Sequence, residues 1–334
     1  MIFNHIKQIY KKIRALYQVK RQIESPFLND VHDSALQNIF EGFKNVWSGN
    51  EALPYFIPTE TKKTLIFGQQ IDTRNRHVEW MPGEYNQYVA TGNKLYKDKS
   101  IVYTFNNQGF RAYNCFGGKK QIACFGCSGT FGVGLPDEET WPWILQHEKE
   151  IKYNYTVKNY GVSGASNDYI CRLVYTHLLK NKPDIIICFF PDIYRVEYFS
   201  EKRDIETWCP RAYPEHIDNL KKYKAYLTLI NPYNGFFNFV KNFKFIELMC
   251  KQQNIKFVWH TWSTTLLNTD KHIIDHYLGN DSPCIINRYG NGQLYDICRD
   301  HDLYDISDKA RDGAHQGVKF NKILAKEFVK LINC

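Results

Sequence analysis

The chain has 334 residues, 43% hydrophobic and 23% charged, with a formal net charge of +8. That is enough apolar material for one large or two ordinary globular domains, and it excludes a disordered chain. The charge is concentrated. Lys7, Lys11, Lys12, Arg14, Lys20 and Arg21 stand against the single acid Glu24 in the first 25 residues, which leaves +3 for the remainder and argues against a nucleic-acid partner.

In chain order, Phe3, Ile6, Tyr10, Ile13 and Tyr17 recur at steps of three and four, so residues 1–25 read as a basic amphipathic helix ended by Pro26. Such a helix packs on its own domain, makes a homo-oligomer with a sister subunit, or adheres to an anionic surface. Lys and Arg interrupt its apolar residues, so no secretory signal is expected. No run approaches the ~18 apolar residues of a membrane span. Localisation is expected to be cytoplasmic or within a larger assembly. Residues 26–118 read as an accessory unit: a second helical piece from Asp30 to about Gly49, then short β-type runs at Thr64 to Phe67, Val89 to Thr91 and Ile101 to Thr104.

From residue 119 the pattern changes to alternating strands and helices. Ile122 to Phe125, Tyr155 to Tyr160, Asp184 to Phe190 and Ile255 to Trp259 have the length and apolarity of buried parallel strands. Helices are expected after Pro136, after Ser166 as N-cap, from Phe236 to Gln253 and from Val318 to Ile332. This alternation predicts an α/β domain over 119–334 with a parallel sheet between helical layers. Between Tyr194 and Gly235 the rhythm lapses into an aromatic-rich insertion, 195–235, suited to shaping a cleft.

Cys124, Cys171, Cys188 and Cys250 lie in apolar runs, as small buried hydrophobes do. Cys124-x-x-Cys127 has no second pair at zinc spacing, so neither a metal site nor a disulfide framework is expected.

The chemistry centres on Gly126-Cys127-Ser128-Gly129-Thr130-Phe131-Gly132, which presents a serine hydroxyl on the turn from strand to helix. In open α/β sheets, ligands collect at that end of the strands. Near the C-terminus, Asp312-Gly313-Ala314-His315 sets a carboxylate three residues before an imidazole, close enough to orient it within one turn. These two stretches, with Asn159-Tyr160-Gly161-Val162-Ser163-Gly164 between them, resemble in form and order the motif blocks of the SGNH (GDSL-type) hydrolases. The resemblance covers about two thirds of the chain.

It implies a flavodoxin-like three-layer α/β/α sandwich and a serine esterase without metal or organic cofactor. Ser128 would be nucleophile, His315 general base and acid, and Asp312 its orienting partner. The Ser128 and Gly164 amides would bind the oxyanion. Two positions depart from the family pattern: Cys127 replaces an Asp of the first block, and Pro191 stands where the third block has its oxyanion asparagine. Proline donates nothing there.

Asn167 either substitutes for that donor or caps its helix with Ser166. Arg195 either contacts a substrate carboxylate or glycan, or pairs with Glu197 or Asp192. The turn Phe105 to Arg111 resembles a lead-in that such proteins carry before their first strand, with packing as its expected job. A small-molecule or glycan ester, in particular an O-acetylated glycan, is the expected substrate. The alternatives are a weakly active or inactive glycan-binding component of an assembly on the same fold, and an O-acyltransferase.

Overall fold

The computed structural model describes residues 63–66, 69–72, 77–80, 101–112, 117–199, 205–208, 226–263, 266, 271–278, 308–311 and 315–333. The chain divides into Met1–Ile57 and Pro58–Cys334, and every described residue belongs to the second unit. The expected helices in the first 50 residues and the expected strand at Val89 to Thr91 lie outside the described residues.

Two of the expected β-type runs ahead of the Ser128 stretch, near Thr64 and Ile101, form antiparallel pairs with strands the sequence reading did not mark. Strand β1 (Lys63–Ile66) pairs with β2 (Gln69–Asp72), and β3 (His77–Trp80) with β4 (Ile101–Thr104). The main sheet follows. Its four parallel strands are β5 (Lys120–Gly126), β6 (Tyr155–Gly161), β7 (Ile185–Phe190) and, after an antiparallel hairpin of β8 (Val196–Phe199) and β9 (Ile205–Trp208), β10 (Lys256–Thr261). Their order is β6-β5-β7-β10. All six residues of β7 are buried, as a central strand covered on both faces requires.

Helices cover both faces. After the short α1 (Ser128–Phe131) come α2 (Trp141–His147), α3 (Lys149–Lys152), α4 (Asn167–Lys180), α5 (Pro232–Gln252), α6 (Lys271–Leu278) and α7 (Val318–Asn333). On one face, Phe239 and Phe243 of α5 pack their rings against Phe190 and Trp259. Elsewhere in the core, α2 and α7 meet through Trp141 and Phe328, with ring centroids 4.8 Å apart. Ser166 caps α4 as expected, its Oγ accepting from the Tyr169 N–H at 3.0 Å. The result is the anticipated parallel sheet between helical layers, with the strand order of a flavodoxin-like α/β/α sandwich. Among the described residues no helix is long and apolar enough to cross a membrane.

Sheet order positions the chemistry. The chain runs from β5 out to β6, then returns past β5 to β7, so the connections diverge between β5 and β7. The crevice at the C-terminal ends of those strands is where an open α/β sheet accepts ligands. Gly126 ends β5 and is paired in register with Gly161, which ends β6. A Cβ on Gly126 would stand 2.0 Å from Thr130 Oγ1, and one on Gly161 would stand 2.3 Å from the Phe131 N. These two glycines let α1 sit directly on the strand ends.

Two buried histidines make the fold acid-sensitive. His260, on β10 and stacked on Phe189 at 5.7 Å, has no hydrogen-bond partner at either ring nitrogen, and burial pulls its pKa down to about 3. His177, packed on Tyr160 and Phe125, is lowered to about 4 by burial and then by the Lys158 charge. Both pKa values lie below the unfolded value of about 6.5, so the unfolded chain takes up these protons first and stability falls as pH drops from 6.5 toward 4 and 3. At pH 5 each histidine is expected to cost about 2 kcal/mol. Urea unfolding at pH 7.5 and 5.0 checks this: the midpoint drops at the lower pH, and His260→Leu shrinks the drop.

Candidate active site

Ser128 is the first residue of α1, at the C-terminal end of β5, and is 6% exposed. Its Oγ lies 2.8 Å from His315 Nε2 and 3.8 Å from Cys127 Sγ. A hydroxyl has one proton to give, and the shorter contact to the better acceptor takes it. Accepting at Nε2 requires the neutral ring to carry its own proton on Nδ1. Asp312, the residue expected to hold that proton, lies outside the described residues.

The histidine loop is fixed at both ends. Lys309 and Gln316 form an antiparallel bridge, the Ala310 N–H donates to the His315 carbonyl, and the Arg311 N–H donates to the Gly134 carbonyl, each hydrogen bond at 3.0 Å. On the other side, Asp308 accepts the Lys319 and Phe320 N–H groups at 3.0 Å each, placing its carboxylate on the first turn of α7. Gly317 is needed there, because a Cβ would come within 2.5 Å of Asp308 Oδ1.

The Ser128 side is held by a buried cation. Arg111, with a side chain 0% exposed, donates to the carbonyls of Phe131, Gly132 and Leu135 at 2.7–2.8 Å and to Asp137 Oδ1 at 2.7 Å. Its guanidinium also lies over the rings of Tyr103 and Phe131. Burial raises the Asp137 pKa, with the Arg111 charge pulling it back. The lead-in turn therefore does more than the packing expected of it: it carries the guanidinium that shapes the loop behind the serine. Asn159 supports α1 from the other side, donating to the Thr130 carbonyl at 2.8 Å and accepting from the Gly161 N–H at 2.8 Å.

A depression lined by Ser128, Gly129, Gly132, Val133, Leu135, His315 and Gln316 opens beside the serine. Among the described residues, neither the Ser128 nor the Gly164 N–H is taken by a backbone carbonyl, and of the two only Ser128 lines the depression. Asn167 does not line the depression. It is 1% exposed, with its Nδ2 directed at the Asp192 carbonyl at 3.5 Å and its Oδ1 unpartnered, and the capping of α4 falls to Ser166 alone.

The ion pair weighed for Arg195 does not form. Glu197 is held by Arg172 at 2.6 Å, and Asp192 accepts from the Tyr194 N–H. Arg195 instead donates to the Ala165 carbonyl at 3.3 Å and lies 5.1 Å over the ring of Trp262. Trp262 in turn donates its Nε1–H to Cys127 Sγ at 3.3 Å. Sequence reasoning missed Trp262. Its signal was position: it follows β10 immediately, at the ligand-bearing end of the sheet.

No protein-family model matches the chain, and no curated protein matches it. Among solved structures, a psychrotrophic esterase, EstA, from Pseudoalteromonas sp. aligns over 64% of this chain and 97% of its own, at 14% identity and a TM-score of 0.39. A member of the lipolytic G-D-S-L family from Veillonella parvula aligns over 64% and 98%, at 16% identity and 0.34. A two-domain esterase active on acetylated mannans aligns over 64% of this chain and 49% of its own, at 13% identity and 0.40. At such values the functional argument rests on the geometry of the site itself.

Removing the Arg111 charge strands the Asp137 carboxylate and frees three carbonyls at once. Breaking one partner of a buried pair costs about 3–5 kcal/mol. Arg111→Met is expected to lower the urea midpoint accordingly, and Arg111→Lys to recover little of it, because one ammonium cannot reproduce the planar fork.

Proposed function

We propose that the chain is a serine ester hydrolase of the SGNH type, working through an acyl-serine intermediate. The observation that carries this reading is the 2.8 Å contact between Ser128 Oγ and His315 Nε2 at the switch-point end of the sheet. In this reading Ser128 Oγ attacks the ester carbonyl carbon while His315 Nε2 takes the hydroxyl proton. The negative charge on the carbonyl oxygen is met by the Ser128 and Gly164 N–H groups. Collapse expels the alcohol oxygen, which leaves with the proton from His315. Water then repeats the sequence on the acyl-serine and releases the acid. Asp312 holds the Nδ1 proton and stabilises the imidazolium in both halves.

With Pro191 in place of the third oxyanion donor, a rate lower by about 10²–10³ than that of a three-donor site is consistent with the same chemistry. For the substrate, an O-acetylated sugar is the reading we favour. Half-buried Trp262 gives the site an aromatic neighbour suited to a sugar ring.

Hydrolysis of p-nitrophenyl acetate, with mass-spectrometric trapping by an organophosphonate, tests the reading. Ser128→Ala is expected to lower turnover at least ~10³-fold and abolish the adduct, and Asp312→Asn to lower kcat by ~10²–10⁴. Turnover that survives in folded Ser128→Ala protein would sink it.

A further inference from the structure

We propose that Arg195, laid on Trp262, is a binding site for a carboxylate carried by the ester substrate. The inference rests on the esterase reading and narrows its substrate class to acidic esters.

Three carboxylates lie within a few residues or bonds of Arg195, and each is engaged elsewhere. Glu197 takes both forks of Arg172, at 2.6 and 3.0 Å. Asp168 accepts from the Asn238 and Asn242 amides at 2.9 Å and from the Glu197 N–H. Asp192 accepts from the Tyr194 N–H at 3.1 Å. Arg195 spends one N–H on the Ala165 carbonyl and, among the described residues, has no acidic partner. A guanidinium has five donors in a planar fork that matches a carboxylate edge-on, so the group retains the edge needed for a bidentate contact.

Its position is defined from both sides of the reaction centre. The Ala165 carbonyl follows Gly164, the proposed oxyanion glycine. The Trp262 ring beneath it is tied through Nε1 to Cys127, the neighbour of Ser128. Stacking and the carbonyl contact fix the plane of the guanidinium before any ligand arrives, so little side-chain freedom is lost on binding. Arg195 and Trp262 are both part-buried, which keeps the cation reachable while weakening water's competition for it.

The test uses two matched pairs of esters. On the acyl side the pair is p-nitrophenyl acetate and mono-p-nitrophenyl succinate. On the alcohol side it is O-acetylated methyl galactoside and O-acetylated methyl galacturonate. The protein is expected to favour the charged member of one pair. Arg195→Gln is expected to lower that charged-to-neutral ratio of kcat/KM about 10–100-fold, with Arg195→Lys in between. The pair that responds tells whether the carboxylate sits on the acid or the alcohol.

A ratio unchanged by Arg195→Gln overturns the proposal while leaving the hydrolase intact. If no Ser128-dependent turnover exists, the esterase reading falls and binding decides instead. Saturation-transfer NMR on Ser128→Ala protein then compares succinate and galacturonate with galactose. Binding of an acid that is lost in the Arg195→Gln double variant retains the anion site, and equal or absent binding of acids and galactose removes it.

Discussion

Arg111 is the constraint on which the site's shape depends. A buried guanidinium is tolerable only when its donors are spent, and here they are spent on three carbonyls of one short loop and on Asp137. Satisfying the cation therefore dictates where the carbonyls of Phe131, Gly132 and Leu135 point. The left-handed Gly132, with φ of +82°, provides the turn this arrangement needs. That loop ends the helix carrying Ser128, and through the Gly134 carbonyl it also receives the Arg311 N–H of the histidine loop. One desolvated charge thus fixes the far side of the Ser128 turn and one anchor of the His315 loop, although Arg111 hydrogen-bonds neither Ser128 nor His315.

The sheet supplies the complementary constraint. Parallel strands aligned in register bring the β5 and β6 ends to the same level, and glycine at both ends lets α1 descend onto them. The Cys127 carbonyl takes the Thr130 and Phe131 N–H groups, and those of Ser128 and Gly129, at the start of α1, are left without a helical partner. In the proposed mechanism the same geometry that seats the serine also supplies an amide for the oxyanion, so positioning and electrostatics would have one origin.

Much of this was legible in the sequence, for identifiable reasons. The apolar runs at Ile122, Asp184 and Ile255 announce parallel strands because such strands are buried on both faces and cannot alternate. The Ser128 turn and the His315 loop could be picked out because both were bounded by glycines and adjoined clear elements. What escaped was long-range side-chain partnership. Nothing local in Phe105 to Arg111 says that its guanidinium reaches residues 20 to 26 positions onward. Nor does Trp262 reveal that its N–H meets a cysteine 135 residues earlier. For Arg195 sequence proximity was misleading: Glu197 is two residues away, yet on β8 it turns to Arg172 of α4. Residues two apart on a strand share a face, but Arg195 lies just before β8, and its guanidinium goes to the Ala165 carbonyl and the Trp262 ring instead.

Cys127 and Pro191, where the chain differs from the motif blocks it resembles, have their own surroundings in the structure. Position 127 is 0% exposed, and its polar neighbours are the Trp262 indole N–H and the Ser128 hydroxyl. A carboxylate there would need several donors to offset its desolvation and would compete with His315 for the serine proton. A thiol needs little, accepts weakly from the indole, and leaves the hydroxyl to the imidazole. The sulfur tolerates a single weak donor, and that donor sets the ring on which Arg195 rests. Pro191, directly after β7, has no N–H to offer, while Arg195 four residues on carries a guanidinium without an acidic partner among the described residues. In the proposed reading that guanidinium meets an anionic substrate, because a planar fork of N–H donors matches a carboxylate edge that a single neutral donor cannot.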